Sequence, residues 1–193
     1  MSFDIFRGSL ITALLALPVF AQSRTYEVRP GEKSTATFHA EDTYDSFDGT
    51  TNRVSGTIEA DPAAPQSSSV SLTVDLRALD TGNGLRNKEM REKYLQTGPH
   101  PEAQFRSVSV QAPASVAANA PADLKVTGDF TLHGVTKRFT IPVRVVVIPD
   151  GHIHATSTFN VHMPDFGIDV PNNVLVTVND DVPVRLDVWA TAK

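Results

Sequence analysis

Between Leu124 and Val147 the chain reads LKVTGDFTLHGVTKRFTIPVRVVV, with apolar residues at every second position. Leu124, Val126, Phe130 and Leu132 share one parity, and Lys125, Thr127, Asp129 and Thr131 take the other. Beyond His133-Gly134, the residues Phe139, Ile141, Val143, Val145 and Val147 alternate again. A period of two sends successive side chains to opposite faces of an extended strand, so the stretch predicts two strands, each with one apolar face. Gly134 stands at the reversal, where a short hairpin loop needs a residue that tolerates positive φ. The result is an antiparallel hairpin with one greasy side.

The same signal recurs along the chain. Tyr26-Glu27-Val28 and Ser34–His39 predict short strands split by the Pro30-Gly31 turn, and Asn52–Asp61, Ser69–Leu76, Ala103–Gln111, His152–His162 and Val182–Ala190 predict others. In Ala103–Gln111 the apolar parity shifts between Phe105 and Val108, which predicts a bulge. Glu41–Thr51 (EDTYDSFDGTT) reads as a loop or an irregular strand end, Ala112–Ala122 as a surface loop outside the core, and Val174–Asn179 as a brief pairing. Asp80–Leu95 is the one helical candidate. Thr81 or Asn83 can cap it, Glu89 and Lys93 form an i,i+4 pair, and Met90 and Tyr94 share a face. About eight or nine strands with one short helix make an all-β domain, either an antiparallel barrel or a sandwich. Eight antiparallel strands close around an interior that side chains fill or that holds one small ligand.

Composition narrows the functions. At the start, Arg7 precedes the uncharged apolar run Ser9–Phe20, with Val19-Phe20-Ala21 behind it, which predicts a signal peptide over residues 1–21 and one domain over 22–193. The run is shorter than the roughly 20 residues a spanning helix needs. Across 193 residues the net charge is −5, so no basic excess holds nucleic acid or an anionic membrane surface. The absence of cysteine excludes thiol catalysis, thiolate metal sites and iron–sulfur clusters.

Two blocks carry a resemblance. The first is Leu79-Asp80-Thr81-Gly82, then Arg86, Met90, Tyr94 and Leu95, then His100–Ser107 (HPEAQFRS); the second is Thr127–Lys137 (TGDFTLHGVTK). In order and spacing they resemble the YceI-like family of exported lipid-binding proteins, and the similarity extends thinly over nearly all of residues 22–193. The resemblance implies an elongated lipocalin-like barrel of about eight strands in the periplasm. Its apolar tunnel would hold a polyisoprenoid chain, such as an isoprenoid quinone or a polyprenyl phosphate, with no other cofactor, and membrane b-type cytochromes would be partners. The chain departs from the family pattern at His39–Thr43, at Val54 and at Glu89.

Phe38, Leu72, Phe105, Phe130, Leu132, Phe139, Ile141 and Phe159 are the candidate ligand contacts, with Met90 and Tyr94 as a gate at one end. Each also has a plain use as core filler. His152, His154 and His162 share a strand parity and invite a zinc site, but the opposite parity carries Ile153, Phe159 and Val161, which favours a solvent face. Asp42, Asp45 and Asp48 miss the ligand spacing of a calcium loop and fit a solvated acidic loop. Asp165, Asp169 and the Asp180-Asp181 pair suit turn chemistry better than acid–base roles. No nucleophile elbow, phosphate loop or dinucleotide fingerprint is present. Three readings therefore stand: a carrier of an isoprenoid lipid, an enzyme or redox partner acting on one through His39, His100 or His133, and a packed barrel with a stress or interaction role.

Overall fold

The computed structural model describes residues 23–41, 45–171 and 178–193. The expected signal peptide, Asp42, and residues 174–177 of the expected Val174–Asn179 pairing lie outside them. Ten strand segments run in chain order: β1 (Arg24–Val28), β2 (Thr35–Glu41), β3 (Ser46–Thr51), β4 (Val54–Ala60), β5 (Ser69–Asp75), β6 (Glu102–Gln111), β7 (Pro121–Leu132), β8 (Val135–Ile148), β9 (His152–His162) and β10 (Asp181–Ala192). All pair antiparallel. The sheet runs β1-β4-β5-β6-β7-β8-β9-β10, and β1 closes it by pairing back onto β10.

Ten segments make eight staves, because two staves are broken. β2 lies along Val184–Asp187 of β10 and β1 along Thr191-Ala192 of the same strand. β3 pairs with β2 while β4 pairs with β1. At the first break the buried Ser34 hydroxyl takes the place of a strand: Oγ donates to the Trp189 carbonyl at 3.2 Å and accepts from the Trp189 amide at 2.9 Å. One side chain thus satisfies both polar groups of a residue that would otherwise lack a ladder partner. The fold is a closed eight-stranded antiparallel barrel.

Where the structure departs from the sequence reading, pairing and packing explain it. Ser46–Thr51 is a strand and not a loop, because its polar residues sit opposite β2 (Phe38 faces Gly49) and Thr50 exchanges two backbone hydrogen bonds with Asp80, both between 2.9 and 3.0 Å. Ala112–Ala122 contributes to the core after all: Val116 is buried at one end of the barrel, and its amide donates to the Pro62 carbonyl at 2.8 Å. The helical segment is shorter than Asp80–Leu95. An α-helix, α1 (Gly84–Glu89), is capped by Asn83 Oδ1, and one wider π turn follows over Met90–Tyr94. Lys93 lies over the Tyr94 ring, 5.0 Å from its centre, in place of the expected pairing with Glu89. The bulge falls between Ser107 and Ser109 and turns Val108 outward.

The β7–β8 hairpin turns through two residues, His133 at φ 51° and Gly134 at φ 77°. Two consecutive positive φ values give a turn whose twist matches that of paired strands. Inside the barrel, packing divides by end. Tyr26, Val28, Val54, Ile58, Val116, Ile153, Val188 and Ala190 form one buried cluster; Leu76, Leu79, Met90, Leu132, Val161, Phe166 and Ile168 form another beside α1.

Candidate functional site

The inward faces of β2–β10 leave a cavity of about 400 Å³ under α1. Such a volume lies within the range of small-molecule sites. Nine of the ten candidate contacts line it: Phe38, Leu72, Met90, Tyr94, Phe105, Phe130, Leu132, Ile141 and Phe159. Phe139 does not. Its ring packs behind the wall, 5.5 Å from Phe130 and 5.8 Å from Phe166 between ring centres. Phe166 is fully buried and stands edge-on to Phe130 at 5.4 Å. Offset and edge-to-face contacts of this kind give an aromatic wall a fixed shape.

Two glycines let the rings lie flat. A Cβ on Gly49 would collide with the Phe38 ring, and one on Gly128 would meet the Phe105 ring and the Arg106 carbonyl. A second, smaller chamber of about 110 Å³ occupies the other end, walled by aliphatic side chains of β4–β10 and closed by Pro62, Pro65 and Val116. The two chambers share Leu72, Phe105, Ile141 and Leu186 as walls.

In the large cavity the charged side chains gather at the α1 end. Arg86 borders the large cavity; its Nε donates to Thr81 Oγ1 and its Nη2 to the Thr81 carbonyl, both at 3.0 Å, and its guanidinium lies 3.9 Å from the Phe47 ring centre. Asn87 anchors this cluster by accepting from the Thr81 amide and hydroxyl and donating to Asp80 at 2.7 Å. That bond, with a second from the Gly82 amide, holds the Asp80 carboxyl below its ordinary pKa. Arg91 ties the same loop down through Nη2 to the Leu79 carbonyl at 2.6 Å. Glu89 also reaches the rim. Among the described residues the rest of the lining is chiefly apolar, with Thr37 and Gln104 as polar members, and suits excluding water from an apolar guest.

The histidines stand elsewhere. His39 lies 2.7 Å from Asp48 on the outer surface, and this hydrogen bond raises its pKa. His100 and His133 stack with ring centres 4.9 Å apart beside Gly134; His133 Nδ1 is 3.1 Å from the Phe166 carbonyl, while its Nε2 is buried without a partner. Neither ring borders the cavity. His152, His154 and His162 are drawn to separate carboxylates, Asp150, Asp187 and Asp181, and His154 stacks on Trp189 at 4.2 Å. Among the described residues no three His, Asp or Glu side chains converge as a metal site. Asp165 pairs with Lys137 at 3.0 Å.

Sequence reasoning missed Phe47, Val54, Leu76, Leu79 and Met163 in the lining. For Phe47 a signal existed: Phe47, Gly49 and Thr51 alternate, and the acidic neighbours obscured them. Phe166, which braces the wall, reads only as part of a Pro-Asp-Phe-Gly turn.

Known proteins are similar to this chain in sequence or in fold. A UPF0312 protein of Shewanella sp. (strain W3-18-1) is 32% identical over 169 residues, covering 83% of this chain and 85% of its own. The crystal structure of BcnA from Burkholderia cenocepacia superposes with a TM-score of 0.71 at 23% identity, over 82% of this chain and 97% of its own. A structure described as a polyisoprenoid binding domain from Saccharophagus degradans superposes with a TM-score of 0.67 at 16% identity, over 89% of this chain and all of its own. The YceI-like domain model matches residues 26–190, and the chain therefore belongs to the YceI-like family.

Proposed function

We propose that the barrel is a periplasmic, non-enzymatic lipid-binding protein that holds a polyisoprenoid chain, either an isoprenoid quinone or a polyprenyl phosphate, for transport, storage or stress response. The observation that carries this reading is the roughly 400 Å³ cavity, enclosed by Phe38, Phe105, Phe130, Phe159 and aliphatic neighbours. Apolar tail removed from water contributes roughly 25 cal/mol per Å², so a dry chamber binds by shape and burial alone. The Saccharophagus degradans domain, described as polyisoprenoid binding, supports the ligand class. Export is supported by the Arg7 and Ser9–Ala21 pattern. A carrier needs no group to move protons, and the histidines open to acid–base work lie away from the lining.

Native mass spectrometry of protein purified from its own periplasm tests the proposal, followed by titration of delipidated protein with an isoprenoid quinone and with a polyprenyl phosphate. One retained lipid per chain, or saturable uptake of either compound, is expected. Apo protein that takes up neither would overturn it.

A further inference from the structure

Among the described residues that line the large cavity, Arg86 is the one cation. The exposed Arg29, Arg77, Arg138 and Arg144 each meet a carboxylate. Half-buried Arg86 meets none. Its Nε and Nη2 donate to the hydroxyl and carbonyl of Thr81, both neutral oxygens, and its guanidinium lies over the Phe47 ring. Asp80, in the same cluster, accepts from Asn87 and Gly82 instead. Glu89 reaches the rim but is exposed to water and forms no ion pair with Arg86.

These contacts fix where the guanidinium points without satisfying it. Nη1 carries two N–H donors, and no described residue accepts from them. The other polar members of the lining are otherwise engaged: the Thr37 hydroxyl pairs with Thr50 at 3.0 Å, and Gln104 Nε2 donates to Glu102 at 3.1 Å. Tyr94 adds a hydroxyl. Covering Nη1 with hydrocarbon strips its water and returns nothing, whereas an oxygen acceptor replaces that water with a charge-assisted hydrogen bond.

We infer that Arg86 is the head-group residue of the large cavity, donating from Nη1 to an oxygen acceptor, a carbonyl or phosphate oxygen, at the polar end of an apolar chain. The head then stays at the α1 end and the tail points toward Pro62, Pro65 and Val116. The inference rests on the lipid-binding reading and adds a direction and a selectivity to it.

Equilibrium dialysis of the delipidated full chain against three ligands with the same short isoprenoid tail, the plain hydrocarbon, the quinone and the phosphate, tests it. At least one headed ligand is expected to bind about tenfold more tightly than the hydrocarbon, and Arg86→Gln to cut that preference to about twofold or less. Which headed ligand gains identifies the acceptor. Equal binding of all three by the parent protein overturns the assignment, whether or not the variant folds, and leaves the lipid-carrier reading standing. A preference that survives in Arg86→Gln also overturns it, as does one lost in Tyr94→Phe and not in Arg86→Gln. If none of the three binds, the lipid-carrier reading fails and the assignment with it.

Discussion

The two ends of the barrel are built from strands of the same alternating pattern and finish differently. At the end closed by Pro62, Pro65 and Val116, the inward residues are Ile58, Val70, Val145, Val147, Ile153 and Val188, and they leave about 110 Å³. At the α1 end the inward residues include Phe38, Phe105, Phe130 and Phe159, yet the space is about 400 Å³. Larger side chains surround the larger hole. Branched aliphatics from facing strands interdigitate toward the axis and fill it. The rings instead pack sideways on one another: Phe130 lies between Phe139, Phe159 and Phe166 at 5.4–6.0 Å, and Phe38 and Phe105 fold over glycines. Rings spent on building a wall do not reach across the barrel. Clustered aromatics can therefore open an interior.

The strongest way to break this comparison is to remove the brace. Phe166→Ala should cost about 3–5 kcal/mol in urea unfolding, because a fully buried ring is lost from behind the wall, whereas Ile153→Val at the aliphatic end should cost about 0.5–1.5 kcal/mol. Equal costs would mean that the Phe166 ring does not brace the wall. A smaller effect is expected where the chambers meet. Leu72→Trp should block passage between them, lowering affinity for a long isoprenoid about tenfold while affinity for a two- or three-unit chain stays within about twofold; overpacking should cost about 1–3 kcal/mol. Isothermal titration with both chain lengths checks it, and parallel losses would show that the chambers act separately.

The smallest effect belongs to the outer surface. Hydrogen bonding to Asp48 raises the His39 pKa above its ordinary 6.5, so the pair's stabilisation is fully present below that value and disappears as pH rises through the raised one. The difference in Tm between the parent protein and His39→Gln should be largest near about pH 5.5 and close in mild alkali. A difference that is constant with pH would assign it to packing.

Much of this molecule is legible one strand at a time. The β7–β8 hairpin, β9, β10 and the displaced Val108 follow from a local rule, that alternate residues of a strand face opposite ways, and the rule needs no knowledge of neighbours. Ser46–Thr51 escaped it because a polar strand is defined by its partner, here β2, and not by its own hydrophobicity. Val116 escaped because a single valine in an Ala- and Pro-rich stretch has no period. α1 was legible through Asn83 and Met90, but the π turn that aims Met90 and Tyr94 into the cavity has no signature in these residues.

By itself, then, the sequence determined which faces are apolar and where the hairpin turns, because these follow from side-chain parity and backbone sterics. Only the tertiary structure decided that β1 closes onto β10, that Ser34 bridges the broken stave, and that Phe139 braces the wall while Phe130 lines the cavity. Parity places both phenylalanines inside. Whether a ring meets a neighbour or a void depends on distances between strands far apart in the chain, and these exist only once the barrel is closed.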